Sequence, residues 1–149
     1  PVETPTAALL HDVGKLILAR LKDAPAQSSI AVARAAGATR MEAEVCAVGI
    51  DHAELGGSVV RAWGLPEPLV IGVARHHAPT GALCPAGPVA QGVHLADAVA
   101  KAVGTGADDN HDGELLARTQ RELGITPVAY DDVCAAVAER LAEVSARYV

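Results

Sequence analysis

At 149 residues the chain is long enough for one domain with a single core. A formal charge of −6, no clustered Lys and Arg, and only 2% aromatic residues argue against a nucleic-acid binder. The longest uncharged stretch, Ala78 to Val93, is broken by Pro79, Pro85 and Pro88 and so does not read as a membrane span. Three cysteines without CxxC spacing read as reduced thiols, and no signal peptide is present, which together imply a cytoplasmic protein.

The core must be aliphatic, because Phe is absent and half the residues are hydrophobic, with Ala prominent. Helical signals recur along the chain, with no sustained period of two. The first helix is predicted from about Thr6 to Leu21, with Leu9, Leu10, Val13, Leu16, Ile17 and Leu21 as a wide apolar stripe. A short helix covers Ser29 to Ala36 and stops at Gly37. Thr39 with Glu42 forms a capping box that opens a helix to about Gly49, and Asp51 with Glu54 opens the next, ending at Gly64. Trp63 is expected to pack beneath this last helix. Pro66 suits a first helical turn, and that helix runs to His76 or His77.

Pro79 to Pro88 reads as a loop by composition. Val89 to Val103 follows as a helix with Val93, Ala96, Ala100 and Val103 on one side. Gly104 to Asn110 is a polar connector, and Asp112 caps a helix that ends at Gly124. The last helix, from about Tyr130, carries Val133, Val137, Leu141, Val144 and Tyr148 as an amphipathic face of ordinary packing, with Cys134 on the same stripe as core. The sum is an all-α bundle in a single domain, residues 1–149.

Five places hold side chains that bind metals: His11–Asp12, His52, His76–His77, His94 and Asp97. Imidazole with carboxylate suits one or two divalent ions such as Fe, Mn, Zn, Ni or Mg. A carboxylate can bridge two ions while each imidazole serves one, the arrangement used in two-metal phosphoester hydrolysis. Singly, each residue is ordinary, because a lone helical histidine is more often a surface or hydrogen-bonded core residue. His11 and Asp12, adjacent on a helix, diverge by about 100°. His94 and Asp97 share a helical face and are placed to bond each other. His111 falls in a polar loop and reads as solvated.

Taken in order these segments carry a family resemblance. Leu9-Leu10-His11-Asp12-Val13-Gly14-Lys15 resembles the signature of the HD superfamily of metal-dependent phosphohydrolases. Gly49-Ile50-Asp51-His52-Ala53-Glu54-Leu55-Gly56, Trp63-Gly64-Leu65-Pro66, Arg75-His76-His77 and Val93-His94-Leu95-Ala96-Asp97 resemble its HDOD branch, found in bacterial signalling proteins. The Gly-Tyr-Pro element of related cyclic-dinucleotide phosphodiesterases is absent after the His pair. The resemblance implies an HD-like helical bundle in which His11, Asp12 and Asp97 hold a first metal, with Asp12 as the bridge, and His52, His76 and His77 hold a second. It implies that Lys15 faces a substrate phosphate, with Asp12 and Lys15 the catalytic pair, and that His94 has a supporting role. The superfamily pattern places a further histidine upstream, on N-terminal helices that this sequence lacks, since Pro1 to Leu10 contain none. Without them the first helix would expose apolar surface for dimerisation or for a partner.

Two functions follow from the resemblance. One is a signal-transduction output or interaction module that contacts other signalling domains or proteins. The alternative is an active phosphohydrolase acting on a phosphomonoester, nucleotide or cyclic dinucleotide.

Overall fold

The computed structural model describes residues 1–20, 24–80, 87–104 and 112–147. Among them are nine α-helices and no strand: α1 (Thr4–Leu10), α2 (Val13–Arg20), α3 (Ala24–Ala35), α4 (Arg40–Val48), α5 (His52–Ala62), α6 (Glu67–Ala74), α7 (Gly87–Ala102), α8 (Gly113–Leu123) and α9 (Pro127–Ser145). The architecture is the all-α one expected. The chain forms two compact units, Pro1–Val93 and His94–Val149.

Local chemistry sets several boundaries. The Thr39 hydroxyl accepts from the Glu42 main chain while the Glu42 carboxylate accepts from the Thr39 main chain, so the capping box is complete. Gly49 ends α4 at φ 82°, a left-handed conformation that costs glycine nothing. The Asp51 carboxylate caps α5 by accepting from the Ala53 and Glu54 amides. Asp112 does the same for α8, and Thr126 starts α9 earlier than the apolar periodicity suggests.

In the first unit, Ala7, Leu69, Val89 and Val93 form one buried cluster with Ala8 and Leu65 against it. Val60, Val70 and Val73 form another with Leu10, Val13 and Leu65. An aliphatic core this small needs backbones to approach closely, and glycine permits it. A methyl on Gly14 would overlap the main-chain carbonyl of His52, and one on Gly57 would meet the Ala74 Cβ at 2.5 Å. α2 and α6 are thereby seated directly on α5.

Several expectations are corrected. The single first helix is two, α1 and α2, broken at His11–Asp12. Of its stripe, Leu10, Val13 and Ile17 are partly covered, Leu9 and Leu16 are 83% and 70% exposed and Leu21 lies outside the described residues, while Leu18, which the stripe did not include, is buried. Trp63 is 59% exposed, because Gly64 turns the chain after α5 and the aliphatic Leu65 takes the place against the core. α6 stops at Ala74, ahead of the histidine pair. On α7, Ala96 is exposed while Val93, His94, Ala98 and Val99 are buried.

In the second unit, α9 has no buried residue; Val133, Val137, Leu141 and Val144 are exposed and Cys134 is half-buried. Periodicity fixes which face can turn toward a neighbour, not how completely one covers it. The expectations for Cys84, His111 and Tyr148 lie outside the described residues.

Candidate metal centre

Four helix boundaries deliver the histidines and Asp12. His11 and Asp12 occupy the break between α1 and α2, His52 is the first residue of α5, and His76 and His77 lie in the turn after α6. At such junctions the backbone leaves the helical screw, so neighbouring side chains can aim at one centre. That freedom brings His11 and Asp12 together despite their adjacency.

Hydrogen bonds then orient three of the rings. His11 Nδ1–H donates to the Ala8 carbonyl and His76 Nδ1–H to the Val73 carbonyl, both at 2.7 Å. His52 Nδ1–H donates to Glu44 Oε2 at 2.6 Å. Each bond assigns the proton to Nδ1 and leaves Nε2 as the ligand nitrogen. All three Nε2 atoms face Asp12: His11 lies 3.4 Å from Oδ2, and His52 and His76 lie 3.6 and 3.9 Å from Oδ1. His77 joins through its own Nε2, 2.9 Å from that of His52.

Ligands held about 2.1 Å from one ion stand roughly 3–4 Å apart, as the His11, His52 and His76 nitrogens do from Asp12. Among the described residues, His52–His76–His77 and His11–Asp12–His76 each bring their donor atoms within 4.8 Å of one another. They share His76. Asp12 Oδ1 is buried with no hydrogen-bond partner among the described residues, a position whose desolvation a cation would offset. The donor set of imidazoles with one carboxylate therefore fits a divalent ion.

Electrostatics agree. Burial, with the neighbouring charges of His77, His11 and His52, holds the His76 ring well below its ordinary pKa of 6.5, and the bond to Val73 only partly opposes this. The ring is neutral near pH 7, as a ligand must be. Burial pushes the Glu44 carboxyl up, but hydrogen bonds from the His52 side chain and main chain, the His52 charge and a bond from Arg40 outweigh it and hold the carboxyl below its usual range.

Glu44 is the residue that sequence reasoning missed. It is 1% exposed and also accepts from Arg40 Nε at 2.9 Å. The available signal was a charged pair at i, i+4 on a short helix just before the His52 segment, which looks like an ordinary surface pair. Lys15, expected to face a substrate phosphate, donates to Asp12 Oδ2 at 2.9 Å. Asp97, expected as a ligand of the first metal, belongs to the second unit, where it accepts from Lys101 at 2.7 Å. His94 is buried in that unit. On the open side of Asp12, a cleft of about 330 Å³ is lined by Leu9, Leu10, Val13, Lys15 and Leu16.

A family model for the HDOD domain matches residues 1–79, which includes His11, Asp12, Lys15, His52, His76 and His77 and ends short of Asp97. Neither a curated protein nor a solved structure matches the chain. No described helix is long and apolar enough to cross a membrane.

Proposed function

The chain belongs to the HDOD family, and on that premise we propose that it is a signalling output or interaction module whose helical scaffold is organised around a divalent-metal site. The observation that carries this reading is the convergence of three oriented imidazole nitrogens on Asp12. His52, His76 and His77 would hold the ion, with Asp12 Oδ1 completing the set; the ion would act as a Lewis acid toward a bound oxygen ligand. The chain's own contribution is to keep His76 neutral, to orient His52 and to bury both rings.

Lys15 pairs with Asp12 Oδ2, while Oδ1 lacks a hydrogen-bond partner among the described residues. The module's partners are other signalling domains or proteins. The exposed Leu9 and Leu16, beside the site, suit contact with an apolar partner surface.

The hydrolase reading draws on the other ligand group, His11–Asp12–His76, which brings His11 and Asp12 to the same centre as His76. Elemental analysis of protein purified without chelator tests the site. About one Fe, Mn, Zn or Ni per chain is expected, falling at least tenfold in His76→Ala. Less than a tenth of an ion per wild-type chain refutes it. A generic phosphodiester assay on metal-loaded protein then separates the readings: turnover lost in Asp12→Ala establishes the hydrolase, and equal background rates in both proteins leave the module.

A further inference from the structure

We propose that Glu44, anchored by Arg40, is the positioning residue that sets metal affinity at the His52–His76–His77 group. The inference rests on the metal-site reading above. An ionised carboxylate only accepts hydrogen bonds. Both donors of His52, its main-chain N–H and its ring Nδ1–H, converge on one oxygen, Glu44 Oε2, at 2.8 and 2.6 Å. The ring is thus held in one tautomer, with Nε2 unprotonated and 2.9 Å from His77 Nε2.

Arg40 holds the other oxygen, Oε1, at 2.9 Å and restrains the carboxylate from rotating away. Three imidazoles bring no negative charge to a divalent ion. Glu44 supplies it from behind one of them, making that ring a stronger donor, and its near-complete burial keeps the effect from being screened. Fastening α4 to the start of α5 would need only the main-chain bond. The second bond, to the ring, is what points to the metal.

Two variants separate charge from geometry. Glu44→Gln keeps an oxygen able to accept both bonds and removes the charge, whereas Glu44→Leu removes both. On the full chain, Zn²⁺ and Mn²⁺ affinities are measured by calorimetry, and the His52 tautomer of the chelator-treated protein by ¹⁵N NMR. Glu44→Gln is expected to keep the tautomer and bind Zn²⁺ roughly tenfold more weakly, and Glu44→Leu to lose the tautomer preference and bind about 100-fold more weakly. Tight binding by the wild type with unchanged affinity in Glu44→Gln overturns this inference alone, and does so even if Glu44→Leu does not fold. No binding by the wild type overturns the metal-site reading and this inference together.

Discussion

The rings of His11, His52 and His76 each commit Nδ1 to an acceptor on their own side of the site, two of them to carbonyls three residues back. Such local bonds cost little ordering entropy, because donor and acceptor are already neighbours along the chain. A side chain without a place of this kind goes elsewhere, whatever its hydrophobicity. Trp63 ends α5 with its ring 59% exposed, and the core beside it is already filled by Leu65 with Val60 and Val70. Trp63→Ala is therefore expected to cost less than about 1 kcal/mol in chemical denaturation. A loss of about 3 kcal/mol or more would mean that the indole is buried.

At the scale of elements, the site depends on how closely helices can approach. α5 carries His52 at its first turn, and α2, which follows Asp12, lies against it through Gly14. No side chain fits between the Gly14 Cα and the His52 carbonyl. Gly14→Ala must push α2 away from α5, separating Asp12 from the His52 ring. The expected outcome is a loss of about 3 kcal/mol in a melting experiment with chelator present, together with reduced metal content in protein purified without it. Wild-type stability in this variant would contradict the close approach. Helix ends were legible in the sequence where a cap is local, as at Thr39, Asp51, Gly49 and Asp112. The break at His11–Asp12 was not, because both flanking segments have helical apolar spacing and no glycine or proline stands at the junction.

For the molecule as a whole, the buried ionisable groups predict how folding responds to acid. His76 has its pKa lowered in the folded state, so the unfolded chain takes up the proton first. Stability is fully present above the unfolded value of about 6.5 and falls as pH drops through it, until the buried ring itself titrates. Glu44, also lowered, adds a second loss further down, as pH falls through the carboxylate range. Chelator-treated protein is expected to lose denaturation midpoint steadily between about pH 7 and 5. That decline should be shallower in His76→Gln, which removes the proton-binding site. Equal slopes in the two proteins would show that His76 is not held neutral by the fold.

By itself the sequence determined the helical class, most of the capped boundaries and the roster of candidate ligands, because those depend on residue type and on interactions a few positions apart. It also carried the family resemblance, in segments surrounding His11, His52 and the His76–His77 pair. Only the tertiary structure decided that Glu44 stands behind His52, that Lys15 turns onto Asp12, that Trp63 faces solvent, and that Leu9 and Leu16 are uncovered while Leu18 is not. Periodicity names the side of a helix. Which neighbour reaches that side, and which buried polar atoms then find partners, is fixed by contacts between segments distant along the chain.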